Sequence, residues 1–101
     1  MPDYFLLMHD DATGPTQGWD AYFRQLREAG VFEGGSAIGG GLVARKSGTP
    51  APLAAHLAGF IRITARDLSH AQSFLDGNPV YEAGGTVEIR ELPGAGEEDI
   101  R

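Results

Sequence analysis

One stretch decides the fold, because it joins a turn to the strand with the cleanest pattern in the chain. It reads Gly77-Asn78-Pro79-Val80-Tyr81-Glu82-Ala83-Gly84-Gly85-Thr86-Val87-Glu88-Ile89-Arg90-Glu91-Leu92-Pro93. Val87 and Ile89 alternate with Glu88 and Arg90, which predicts a strand over residues 86–92 with one buried face. Glycine, Asn and Pro before it are turn residues. We therefore predict that this stretch closes a sheet and carries polar side chains to one end of it.

The first helix is predicted upstream by an apolar stripe. Trp19, Tyr22, Phe23 and Leu26 recur at i, i+3, i+4 and i+7, the spacing of a helix with one apolar face. Gly30 follows at the position where a helix commonly ends with a left-handed residue. The stripe therefore predicts a helix that packs on the sheet by one side.

A second helix is predicted between the third strand and the closing turn. Asp67 is placed to cap its N-terminus, and Gly77 is placed to follow its C-terminus. The expected inner stripe consists of Leu68, Ala71, Phe74 and Leu75.

Three further strands are predicted from short apolar runs. Residues 4–8 are apolar at every position, which indicates a strand buried on both faces. Residues 31–37 predict the second strand, followed by a glycine cluster at 39–41 that marks a hairpin or bulge and a short return through 42–44. Residues 59–64 predict the third, with Ile61 and Ile63 facing the helices and Phe60 and Arg62 facing away.

The element order β-α-β-β-α-β predicts an α+β, ferredoxin-like domain with a four-stranded antiparallel sheet and both helices on one face. Two helices can cover only one face of that sheet. We therefore expect the chain to form a homodimer or a higher oligomer in which a second copy covers the other face. Residues 1–93 form the predicted domain, and residues 94–101 are expected to be a mobile acidic tail.

Composition narrows the classes of function. The 101 residues carry a formal net charge of −6 with only 8 Lys and Arg, which argues against a nucleic-acid partner. The absence of Cys removes thiol chemistry and fits a reducing compartment. Residues 1–11 resemble neither an export signal nor a membrane span, so we expect a cytoplasmic protein without a membrane partner.

Residues 56–63, 67–71 and 77–93 resemble the YCII-related family, and the strand at 4–8 fits its N-terminal strand. The resemblance implies a ferredoxin-like protomer that pairs into a dimeric α/β barrel. It also implies a pocket with enzymatic character, since dehydrochlorinase, isomerase-like and lyase-like activities are associated with the wider group. Asn78-Pro79-Val80 stands where many members carry Asp-Pro-Phe, and the first helix has no His. The His and Asp acid–base pair proposed for the family is therefore not carried over.

Three residues are candidates for proton transfer: His9, His56 and Glu82. His9 leaves the first strand beside two carboxylates, where it is placed either to act as a general base or simply to lie in a surface loop. His56 precedes the third strand and is placed to approach His9. Together with an aspartate the two histidines would make a metal site, but no closely spaced ligand pair supports one, and we expect no metal.

The candidates for substrate binding are Asp11, Arg62, Asn78 and Tyr81. Asn78 is equally well explained as a turn residue, and Arg62 as a partner for charges within the sheet. Two functions follow. One is a cofactor-free lyase, isomerase or dehydrohalogenase that acts on a small compound by acid–base chemistry. The other is a non-catalytic dimeric protein that binds a small molecule in the same pocket or serves as an accessory protein.

Overall fold

The sheet is organised around its first strand. The computed structural model describes residues 1–94. In chain order, the elements are β1 (Asp3–His9), α1 (Trp19–Glu28), β2 (Phe32–Ala37), β3 (Leu57–Thr64), α2 (Leu68–Ser73), α3 (Pro79–Glu82) and β4 (Val87–Leu92). The sheet order is β2-β3-β1-β4, and every neighbouring pair is antiparallel. This confirms the predicted α+β, ferredoxin-like fold. Of the predicted tail, residues 95–101 lie outside the described residues.

The core lies between the helices and one face of the sheet. On β1 the side chains of Tyr4, Leu6 and Met8 are buried, while Phe5 and Leu7 on the opposite face are only partly buried. β1 was predicted to be buried on both faces, but in a single chain only one face is covered. The buried core consists of Tyr4, Leu6, Met8, Tyr22, Leu26, Val31, Ile61, Ile63, Ala65, Ala71, Leu75 and Val80.

The end of α1 is defined by the backbone of Gly30, as predicted. Gly30 adopts a φ of 73°, which a side chain would disfavour. Its N–H donates to the carbonyl of Arg27 at 3.0 Å, and the N–H of Val31 donates to the carbonyl of Leu26 at 3.2 Å. These two bonds form a Schellman motif, which turns the chain directly into β2.

Helix α2 begins as predicted but ends earlier. The Asp67 side chain accepts a hydrogen bond from the His70 N–H at 2.8 Å, which confirms the N-cap. The helix ends at Ser73, so Gly77 is not its terminating residue, and Leu68 is 56% exposed rather than part of the inner stripe. After Ser73 the backbone hydrogen bonds join residues three positions apart, as in a 3₁₀ turn. The apolar stripe of an α-helix, which repeats every 3.6 residues, does not continue through such a turn.

The short return predicted through residues 42–44 does not form a strand. Residues 38–56 contain neither helix nor strand, and Leu42 is 83% exposed, so no apolar contact stabilises a strand there. The irregularity lies earlier, inside β2, where the register against β3 shifts between Phe32 and Gly35. Gly34 adopts a φ of 115° at this point, so the shift depends on a glycine.

Gly35 allows β2 to approach β3 closely, and its replacement tests that contact. A Cβ at Gly35 would lie 2.6 Å from the Phe60 carbonyl oxygen, a backbone atom that cannot move without displacing the strand. We expect Gly35→Ala to lower the free energy of unfolding by about 1–3 kcal/mol in urea titrations. The control is Gly39→Ala, since a Cβ there meets nothing within 4 Å. Equal stabilities for the two variants would contradict this explanation.

Candidate functional site

A cavity of about 450 Å³ opens at the end of the sheet where β1 leaves it. It lies between the start of α1 and the adjoining ends of β2 and β3, with the loop after β1 and α3 completing its wall. Most of its lining is apolar: Met8, Ala12, Trp19, Phe23, Gly35, Ala37, Ala58, Gly59, Phe60, Ile61 and Val80. Four polar residues also contribute: His9, Asp10, Thr16 and Ser36. Its size and apolar lining are those of a small-molecule site.

Two aromatic side chains from α1 are part of the lining. Trp19 and Phe23 are four residues apart, so they lie on the same helix face. Their rings stack with centroids 5.7 Å apart and an interplanar angle of 28°. The sequence predicted both as core residues of the helix stripe, and they are partly buried against the core. Their remaining surface faces the cavity.

His9 lines the cavity and forms a hydrogen bond with Glu88, which is not part of the lining. His9 Nε2 lies 3.0 Å from Glu88 Oε1. In the pairing of β1 with β4, Leu7 lies directly opposite Glu88. His9, two residues after Leu7, therefore lies diagonally across from Glu88 on the same face of the sheet. Glu88 also accepts a hydrogen bond from Arg90 at 3.0 Å. These bonds, first from Arg90 and then from His9, lower the pKa of Glu88 below its usual value.

The strand ends hold His56 beside His9, as the sequence suggested. The two imidazole rings meet edge to face with centroids 4.9 Å apart. A backbone hydrogen bond holds the two residues close together, since the Asp10 N–H donates to the His56 carbonyl at 2.7 Å. The His9 N–H donates in turn to the Thr86 carbonyl at 2.9 Å. His56 itself is exposed and is not part of the cavity lining.

Asp11 fastens the loop after β1 to the start of β4. Its carboxylate accepts hydrogen bonds from the Thr86 N–H at 2.7 Å and from the Thr86 hydroxyl at 2.6 Å. These bonds lower the pKa of Asp11. Thr13 continues the attachment, because its N–H and hydroxyl both donate to the Ala83 carbonyl. Asp11 therefore supports the wall of the cavity rather than lining it.

Asn78 is fully buried as the N-cap of α3 and does not line the cavity. Its Oδ1 accepts hydrogen bonds from the N–H groups of Val80 at 3.0 Å and Tyr81 at 3.1 Å. Within residues 1–94 its Nδ2 has no partner at hydrogen-bonding geometry. It still lies close to Tyr22: burial raises the pKa of the Tyr22 hydroxyl, and the Asn78 side chain offsets part of that rise. These contacts favour the turn explanation of Asn78.

The three remaining sequence candidates lie away from the cavity. Tyr81 is 46% exposed on α3, and Glu82 accepts a hydrogen bond from the Gly77 N–H at 3.0 Å. Arg62 pairs with Asp3 on the uncovered face of the sheet, with Arg62 Nε 3.0 Å from Asp3 Oδ2. Of the seven candidates, the structure thus brings together His9 and His56 and gives Asp11 a supporting position.

The sequence offered weak signals for the residues that it missed. Glu88 was assigned to the outward face of β4 by alternation, but the diagonal contact with His9 depends on a register that the sequence does not show. Thr16 and Ser36 lie in loop and edge positions without any motif. Within residues 1–94, no group of three or more His, Asp or Glu side chains is arranged to hold a metal ion.

The fold and the site define a class: a ferredoxin-like α+β protein with an apolar cavity at the sheet end and a histidine–carboxylate pair beside it. Residues 7–93 match the YCII-related domain, and the chain belongs to the YCII-related family. No curated protein matches the chain. Among the helices formed by residues 1–94, none has the length and apolar character needed to cross a membrane.

The lowered pKa of Asp11 predicts a pH-dependent contribution to stability. Because the pKa of Asp11 is lower in the folded state than in the unfolded state, the ionised carboxylate stabilises the fold at pH values above the ordinary Asp pKa of about 3.9. This stabilisation is lost as the pH falls through the folded-state pKa. We expect Asp11→Asn, which can keep both contacts with Thr86, to be less stable than the wild type at about pH 6. The difference should shrink towards about pH 3.

Urea titrations across this pH range measure the effect. Asp76→Asn is the matched control, since Asp76 is exposed. We expect it to change stability by no more than about 0.5 kcal/mol, as for other surface substitutions. A stability difference between Asp11→Asn and the wild type that stays constant with pH would contradict the prediction.

Proposed function

We propose that this protein is a cofactor-free acid–base enzyme that moves a proton on a small, largely apolar compound. The observation that carries this proposal is that His9, which lines the cavity, has its Nε2 3.0 Å from Glu88 Oε1. A histidine oriented by a carboxylate beside an apolar cavity is an arrangement suited to general base catalysis. The reaction class is an isomerisation, a lyase reaction or a dehydrohalogenation.

The charge of Glu88 determines which nitrogen of His9 acts. Because its pKa is lowered, Glu88 is ionised near neutral pH and can only accept a hydrogen bond. The Nε2 of neutral His9 therefore carries the proton that is donated to Glu88, and Nδ1 keeps the lone pair. Nδ1 takes a proton from a C–H bond of the substrate, and Glu88 stabilises the resulting imidazolium.

The fate of the electron pair distinguishes the three reaction classes. If the imidazolium returns its proton to another atom of the same compound, the reaction is an isomerisation. If the electron pair of the broken C–H bond expels a leaving group or a halide from the neighbouring carbon, the reaction is an elimination. The apolar lining limits the contact of the bound compound with water.

A non-catalytic binding protein is the second candidate. The observation that favours it is the hydrogen bond from Arg90 to Glu88 at 3.0 Å. The guanidinium already offsets the negative charge that would stabilise a protonated His9, which weakens the driving force for proton transfer. Both candidates use the same cavity, so they differ in turnover and not in where the ligand binds.

Proton abstraction can be tested with 2-indanone, an uncharged bicyclic ketone with acidic C–H bonds. We expect the wild type to accelerate exchange of these protons for deuterium in D₂O, measured by proton NMR. His9→Ala should lower the rate by about 10²–10⁴-fold, because it removes the base. Glu88→Gln should lower the rate less, because the amide still accepts a bond from Nε2 but lacks the charge.

His70→Ala is the control, since His70 lies on α2 outside the cavity lining. The His70→Ala variant should exchange the protons of 2-indanone at the same rate as the wild type. If 2-indanone binds to the wild type without exchange, and still binds after His9→Ala, the enzyme proposal fails and the binding protein replaces it.

We propose further that a second copy of the chain covers the uncovered face of the sheet. Phe5 and Leu7 on β1 and Phe60 on β3 are partly buried there, and the Phe5 and Phe60 rings have centroids 5.3 Å apart. Apolar side chains on central strands are unusual at a free surface. Pairing of two identical faces around a two-fold axis would cover them in both copies.

Sedimentation analysis of wild type and variants tests the dimer. We expect a dimer at micromolar concentration and a monomer for Phe5→Glu, because the new carboxylate would be buried against a second copy. The monomer should tolerate this change, since Phe5 lies opposite Arg62 and Arg90. Leu68→Glu, on the exposed side of α2, should remain a dimer. A wild type that sediments as a monomer would refute the proposal.

A further inference from the structure

We infer that the cavity accepts aromatic compounds without a negative charge and rejects the corresponding carboxylates. This inference rests on the proposed function in using the same cavity as the binding site, but it concerns the ligand rather than the chemistry. It follows from the charges that line the cavity, from the cations nearby and from the aromatic residues in the lining.

The lining contains no Lys or Arg. Its charged side chain is Asp10, and its other titratable side chain is His9. Thr16 and Ser36 supply hydroxyl groups, but the Ser36 hydroxyl already donates to the Ala37 carbonyl at 2.8 Å. A carboxylate that enters an apolar cavity loses its water and here gains no cation in return, which is unfavourable.

The cations on the neighbouring sheet face have carboxylate partners. Arg90 donates to Glu88 at 3.0 Å, and Arg62 donates to Asp3. A carboxylate ligand would have to compete with these intramolecular carboxylates for either guanidinium. His9 is likewise hydrogen-bonded to Glu88 through Nε2. If His9 were protonated, the Glu88 carboxylate would already offset its positive charge, which leaves less attraction for a carboxylate ligand.

Negative charge predominates around the loop after β1. Asp10 lines the cavity, and Asp11 follows it directly, held ionised by its two bonds to Thr86. The chain as a whole carries a formal net charge of −6. This field repels an anion and attracts a cation, so an ammonium group is favoured over a carboxylate on the same ring system.

The aromatic character of the ligand follows from Trp19 and Phe23. Both residues line the cavity, where another aromatic ring can pack against them. Aromatic rings also attract cations through their faces, which favours ammonium over carboxylate in an aromatic lining. Flat aromatic compounds that are uncharged or cationic satisfy both features.

Three indane derivatives separate charge from shape: indane-2-methanol, indane-2-methylamine and indane-2-carboxylate. Trp19 is the single tryptophan of the chain and lines the cavity, so its emission reports occupancy directly. Calorimetry supplies the dissociation constants at neutral pH. We expect the alcohol and the amine to bind at least about tenfold more tightly than the carboxylate, which corresponds to about 1.4 kcal/mol.

Two substitutions at Asp10 test the origin of the preference. Asp10→Asn should weaken amine binding and strengthen carboxylate binding, each by a few fold, with little effect on the alcohol. Asp10→Lys should shift the preference towards the carboxylate, because it adds the missing cation. Asp76→Asn, an exposed aspartate outside the cavity lining, should leave all three dissociation constants unchanged.

The outcomes distinguish this inference from the proposed chemistry. Carboxylate binding as tight as that of the alcohol, together with exchange of 2-indanone, would overturn the charge preference and leave the enzyme proposal standing. Preferential binding of the alcohol and the amine, with no acceleration of 2-indanone exchange, would support the charge preference and contradict the enzyme proposal. If none of the three compounds changes Trp19 emission or releases heat, the charge preference fails, and the exchange of 2-indanone decides the enzyme proposal separately.

Discussion

The pairing of β1 with β3 on one side and β4 on the other is the constraint on which the site depends. It brings together residues that are far apart in sequence: His9 and Glu88 are separated by 79 positions, yet their side chains meet at 3.0 Å. The same pairing places His56 beside His9, because His9 lies opposite Leu57 in the register with β3. A shift of one residue in either ladder would turn the side chains to the other face and separate the pair.

The two faces of the sheet serve different purposes. Tyr4, Leu6 and Met8 are packed beneath the helices, and Met8 continues from that core into the cavity lining. The opposite face combines partly buried aromatic rings with charged pairs such as Asp3 and Arg62. An alternation of buried and half-buried residues along a central strand is what one expects where a single chain supplies only two layers. The cavity lies at the end of these layers, where β1 leaves the sheet.

Local patterns in the sequence were enough to predict α1 and the four strands, but not α3 or the contacts between the ends of the elements. The stripe of α1 and the alternation of β4 identified both elements, since these patterns are local. The contact between His9 and Glu88 depends on a long-range register, which no local pattern records. Glu82 was a reasonable candidate for proton transfer in a turn, but α3 forms there and its carboxylate accepts the Gly77 N–H instead. The early end of α2 was missed because its last bonds are tighter than those of an α-helix.

The burial of Asn78 explains why an acid is not needed at this position. Its Oδ1 caps α3 through two backbone N–H groups while the residue has no exposed surface. An aspartate could accept the same two bonds, but it would place a negative charge in the core beneath Tyr22, where an amide carries none. Because the cap requires only an oxygen acceptor, the neutral side chain fulfils it at lower electrostatic cost. The proposed acid–base chemistry then rests on the strand ends, where Glu88 remains partly exposed and His9 lines the cavity.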